Sequence, residues 1–275
     1  MPKPDSHAAD AALPRPGDAW LPILLHQLEL AGFGLWMLLG AALTLGLYRH
    51  GRSEVLVPLA LASIFVGAGL IAALLRLPGV GRWHDWRPGR DHWPGGEALL
   101  ALASFLPALA VAGLARGDNA FWATRLAGAA LALCSLAQLA RVALGPRQHS
   151  ARAFGSVIAA SYSGGLWLCL CLTAQDAAIH PAGSHPWLMA LILLALLLGF
   201  TEGVRWQALR GTSAGARPLR FVAATLTYAL PCAALLVADR RDGSVLVVAL
   251  AALSALLGLT LERRLYVRSL GALPA

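Results

Sequence analysis

The sequence predicts an all-α integral membrane protein, a bundle of eight transmembrane helices. Three observations carry that prediction. The 275-residue chain is 58% hydrophobic. Only 13% of its residues are charged, whereas a soluble domain carries about a quarter. Eight apolar runs each reach the roughly 20 residues needed to cross about 30 Å of hydrocarbon, and nearly all ionisable side chains fall at or beyond their ends. With a mean hydropathy of +0.65, a water-soluble fold is excluded.

Residues 1–19 hold Pro2, Pro4, Pro14 and Pro16 with three aspartates, and lack the basic start and apolar core of a secretory signal, so they read as an exposed tail. The first run, 20–47, contains His26, Gln27 and Glu29 ahead of Gly32, Gly34 and Gly40. The second, 53–76, carries Pro58, able to kink it, and the small residues Ala60, Ala62, Gly67 and Gly69, which permit close helix contact in lipid. A basic, Trp-rich loop fills 77–95, and the third run, 96–115, opens with Gly96-Glu97 and includes Gly113 and Pro107, which, like Pro231 of the seventh run, is able to kink its helix. The fourth, 120–143, holds Gly128, and the fifth spans 152–174. Cys134, Cys169, Cys171 and Cys232 all lie inside apolar runs, where a thiol behaves as a small hydrophobe, so neither a disulfide framework nor a zinc site is implied. The sixth run, 186–208, closes on Glu202 and Arg205, the seventh, 218–238, includes Pro231, and the eighth, 243–266, ends on Glu262-Arg263-Arg264. Both charged endings read as helix-end ion pairs with snorkelling arginines. Apart from 77–95 and 209–217 the loops are short, so consecutive helices are expected to be antiparallel neighbours in one membrane domain, 20–268.

The net charge of +8 is concentrated beside the apolar runs, which points to lipid head groups or a partner surface and away from nucleic acid. Sixteen of the 22 basic residues fall in the tail, the even-numbered loops and the C-terminal end, and six fall on the other side. The positive-inside rule then places both termini in the cytoplasm. A face that docks an acidic soluble subunit would carry the same bias.

A charge in hydrocarbon costs about 2.5–3.5 kcal/mol on insertion scales, so each one needs a partner or a role. Glu29 lies deep in the first run, and His26, three residues before it, shares its helix face. This pair reads either as a hydrogen-bond cluster that fixes helix contacts or as a proton-carrying, ligand-binding wall. Glu97 follows Pro94-Gly95-Gly96 and so sits in the first turn of its helix, where free N–H groups and the dipole favour an anion. It can serve as a helix-start carboxylate or as a base at the membrane edge. Trp83, Trp86 and Trp93 read either as interface anchors alone or as a stacking wall for a flat ring. Of the eight histidines only His26 is clearly inside a run, so bis-histidine haem is not expected. No P-loop, dinucleotide fingerprint or HExxH is present.

The chain resembles the membrane anchor subunit family of dimethyl sulfoxide reductase in three places. Arg76-Leu77-Pro78 leads through Gly81-Arg82 and Trp86 to His92-Trp93-Pro94-Gly95-Gly96-Glu97, similar to that family's second loop ahead of helix three. Leu261-Glu262-Arg263-Arg264-Leu265-Tyr266 is similar to its ending on helix eight, and His26-Gln27-Leu28-Glu29 to a polar stretch in its first helix. The resemblance implies a haem-free, metal-free quinol-binding subunit in a bacterial-type inner membrane, anchoring an iron–sulfur electron-transfer subunit and a molybdenum-cofactor catalytic subunit. The quinol, menaquinol or ubiquinol, is then a bound substrate, oxidised here while the terminal substrate is reduced by another chain. The family's quinol-associated glutamate falls on Glu97, and its quinol-associated histidine corresponds to Arg76, which cannot accept a proton. On this reading Glu97 takes the proton, His92 or His84 helps, Arg76 and Arg82 orient the head group, and Trp93, Glu29 and His26 complete the site. The competing classes are a polytopic transporter or channel, for which no repeated broken helices are found, and a purely structural anchor without quinol.

Overall fold

The structure, a computed structural model, describes residues 20–48, 51–74, 96–117, 119, 121–143, 150–179, 186–207, 217–240 and 244–271. Among them every regular element is helical: α1 (Trp20–Thr44), α2 (Arg52–Leu74), α3 (Gly96–Ala103), α4 (Phe105–Leu114), α5 (Trp122–Ala143), α6 (Ser150–Ile179), α7 (Pro186–Gln207), α8 (Arg217–Ala224), a π-helical turn (Thr225–Ala229), α9 (Leu230–Arg240) and α10 (Val245–Gly271). Seven stretches are long and apolar enough to cross a membrane, so the chain is a multi-pass α-helical membrane protein. The third apolar run, which carries Pro107, is interrupted at Ser104 between α3 and α4. Pro107, three residues on, offers no N–H to the Ala103 carbonyl, so the ladder loses one bond there, while Ser104 keeps helical angles and its N–H donates to the Leu100 carbonyl at 3.0 Å.

The pattern of exposure inverts that of a soluble protein. Large apolar side chains stand on the outer surface, as with Val57, Ile64 and Ile71 of α2 and Met189, Leu193, Leu196 and Phe200 of α7. Polar ones turn inward, among them His26, Glu29, Ser104, Gln138, Thr173 and Thr260. Lipid rather than water is the solvent that makes both arrangements favourable.

Helices α1 and α6 are the most enclosed of the spans and cross each other at the centre. Their contact depends on glycine. A Cβ on Gly34 would run into the Ala160 carbonyl, and one on Gly164 into the backbone of Leu35 and Gly34. Two further α1 glycines face other neighbours: Gly32 against Ala62 and Val66 of α2, and Gly40 against Gly128 of α5. One core forms where α1, α2, α4, α5 and α6 meet, around Trp36, Leu39, Val66, Val111 and Leu131. A second gathers Tyr162, Leu166, Leu198, Leu235 and Ala251 from α6, α7, α9 and α10. At its far end α1 stops because Gly46 adopts a φ of +69°, which brings the Leu47 N–H back to the Ala42 carbonyl at 2.9 Å.

Candidate functional site

Among the described residues, two polar clusters within the bundle each hold a buried carboxylate. The first was legible in sequence. His26 and Glu29 are both buried on one face of α1, with Nδ1 of His26 3.6 Å from Oε2 of Glu29. That separation is an electrostatic contact when the imidazole is protonated and is too long for a hydrogen bond. The backbone of α2 lies directly on the carboxylate: a Cβ on Gly69 would come within 2.6 Å of Glu29 Cβ and 2.9 Å of its Oε2. Only glycine leaves room for Glu29 at that crossing. Gln27, one residue after His26, is buried as well.

The antiparallel register of α1 and α2 follows from three contacts in sequence. Glu29 meets Gly69, Gly32 meets Val66, and the Trp36 indole donates to the Leu59 carbonyl at 3.4 Å. The end of α2 at Leu74 therefore lies beside the start of α1, at the same end of the bundle from which α3 sets out at Gly96. Glu97 is in the first turn of α3 as expected, with its side chain outside the described atoms. Arg76, Arg82, His84, His92 and Trp93 lie outside the described residues.

The second cluster was not read from sequence. Glu202 and Trp206 of α7, Arg220 of α8, Tyr228 of the π turn and Glu262 of α10 line one cleft of about 330 Å³. Trp206 is buried and held on three sides. Its Nε1 donates to Glu262 Oε1 at 3.2 Å, the Arg220 guanidinium carbon lies 3.9 Å from its ring centre, and Tyr266 meets it edge-on at 5.9 Å. Glu262 thus reaches across to α7. Arg264, two residues on, stacks over the Trp20 ring at 4.4 Å. The signal available in sequence was a carboxylate one to two turns inside the end of each of two apolar runs, but Trp206 and Glu262 are 56 residues apart and nothing local joins them.

Compared with protein families, curated proteins and solved structures, the chain matches none.

Proposed function

We propose that this chain is the membrane anchor subunit of a dimethyl sulfoxide reductase-like molybdoenzyme complex, binding quinol at the bilayer edge and delivering its electrons to an iron–sulfur subunit. The observation that carries the reading is the placement of two acidic features at one end of the bundle. The buried His26–Glu29 pair lies on the opening turns of α1, and α3 begins with Gly96-Glu97 at the same end. Between them runs α2, whose Gly69 lets the chain close on Glu29. A quinol head group entering beside these helices meets a carboxylate at the membrane edge and a second acid with its histidine further in.

The reading includes eight crossings, with α3 and α4 together as the third. Phe105 packs edge-on against Trp36 at mid-bundle, 4.9 Å between ring centres. Beyond it the Leu114 carbonyl accepts from Thr124 at 2.7 Å, and the neighbouring Arg125 carbonyl accepts from Thr44 at the far end of α1. These contacts support a path for α3–α4 along the whole of α1, and a rise of about 1.5 Å per residue makes that path long enough. The inner membrane and cytoplasmic termini belong to the same proposal, on the strength of the arginine bias.

The test is Glu97→Gln in the complex purified with its partner subunits. Quinol-dependent turnover should fall about a hundredfold, as for loss of a general base, while turnover driven by a soluble electron donor that bypasses the membrane subunit is retained. Unchanged quinol turnover would remove Glu97 from the site. A chain that purifies without iron–sulfur clusters or quinone would sink the anchor assignment itself.

A further inference from the structure

The cleft between α7, α8 and α10 is not used by the function proposed above. It lies where the spans end: Glu202 and Trp206 are in the last turns of α7, Arg220 in the first turn of α8, and Glu262 near the end of the α10 span. It opens on the outside of the bundle, where its lining residues Gly203 and Phe221 are exposed. α8 packs against α10 and α7 against α6, and Trp206 of α7 bridges the cleft to Glu262 of α10 and Arg220 of α8. Exposed Val204 and Phe221 flank that opening, and the outer face of α7 continues inward from it with exposed Phe200, Leu196 and Leu193.

The glycines of the α7 wall are unlike those that join helices elsewhere. A Cβ on Gly203 would meet no atom within 4 Å, and one on Gly199 only the edge of Tyr228 at 3.9 Å. Glycine inside a helix costs about 1 kcal/mol relative to alanine. At Gly34 or Gly164 that cost is offset by close backbone contact. At Gly199 and Gly203 no protein atom takes the space, and both residues line the cleft.

The polar lining has two characters. Glu202, Glu262 and the Tyr228 hydroxyl supply acceptors. Arg220, three residues into α8, supplies a cation beside a helix N-terminus that favours phosphate. The Arg220 guanidinium already covers one face of Trp206, which closes that face to a quaternary ammonium. Three N–H donors of a primary ammonium match the acceptors present.

We propose that this cleft is a binding site for a phospholipid with a primary-amine head group, its ammonium on Glu202 and Glu262, its phosphate on Arg220, and its chains leaving past Phe221 along α7. This does not depend on the quinol assignment. The test is native mass spectrometry of the full chain in detergent with phosphatidylethanolamine, phosphatidylcholine and phosphatidylglycerol supplied at equal concentration. Phosphatidylethanolamine adducts should exceed either of the others by about tenfold, and soluble phosphoethanolamine at the same concentration should give none. Gly203→Leu should abolish the preference by filling the cleft, and Glu202→Gln with Glu262→Gln should reduce it to about twofold or less. Equal retention of the three lipids by the unmodified chain overturns the proposal even if a variant fails to fold. So does undiminished preference in folded variants, and an adduct of phosphoethanolamine as abundant as that of the lipid overturns the membrane as its source.

Discussion

Pro58 and Pro231 each remove a backbone N–H from a helix in hydrocarbon, where an unpaired carbonyl costs several kcal/mol. Side chains of α6 meet both deficits. One turn before Pro58, the Glu54 carbonyl accepts from Gln175 Nε2 at 2.8 Å, with the Tyr48 hydroxyl 3.0 Å away. One turn before Pro231, the Thr227 carbonyl accepts from the buried Tyr162 hydroxyl at 3.0 Å. The chain also widens there into the π turn, with Leu230 N–H reaching back to Thr225. Tyr162→Phe is therefore expected to cost about 1–3 kcal/mol, the range for a buried acceptor left unmade. In a Pro231→Ala background, where residue 231 regains an N–H, the same change should cost about 0.5 kcal/mol or less. Unfolding titrations of the four proteins in mixed micelles measure both, and additive effects would show that the hydroxyl does not compensate the proline. The prolines were legible in sequence as kinks; their partners were not, because Tyr162 precedes Thr227 by 65 residues.

Helix contacts separate glycines that look alike in sequence. Gly34 and Gly164 set the approach of α1 to α6, Gly40 and Gly128 that of α1 to α5, and Gly69 makes room for Glu29. Gly67 and Gly113, equally small and equally apolar in setting, meet no atom within 4 Å beyond their own surroundings. In lipid, helix association relies on close van der Waals fit, with no hydrophobic gain from leaving water. Gly34→Ala should therefore destabilise the bundle by about 1–3 kcal/mol, the usual cost of overpacking, because a rigid carbonyl occupies the space. Gly113→Ala should be neutral or stabilising by up to about 1 kcal/mol through helix propensity alone. Thermal denaturation of the two variants in one detergent distinguishes them, and equal losses would refute the α1–α6 crossing as drawn. The sequence shows which helices hold small residues. Which of those residues touch depends on helix rotation, and the hydrophobic pattern of a helix apolar on nearly all sides leaves rotation undetermined.

For the whole molecule, the apolar runs were legible because the bilayer imposes a length on them, whereas the cleft and the course of α3–α4 depend on which helix ends meet. Arg264 stacked on Trp20 brings the end of α10 to the start of α1. That placement fits the proposed eight crossings, in which the shorter α3–α4 crosses beside the seven long spans. Cysteines replacing Leu47, Phe121 and Ser244 would then all lie on one side, and one replacing Gln207 on the other, in a background lacking Cys134, Cys169, Cys171 and Cys232. With both termini cytoplasmic, a membrane-impermeant maleimide should label the first three in intact cells and reach Gln207→Cys only after the membrane is opened. Labelling of Leu47→Cys without Phe121→Cys would mean that α3–α4 turns back within the bilayer. The inverse pattern, with Gln207→Cys labelled alone, would keep the eight crossings and reverse the orientation. The arginine excess around 75–95 and 208–217 would then mark an outward-facing docking surface for soluble partners, since the same charges attract an acidic subunit as readily as they retain a loop in the cytoplasm.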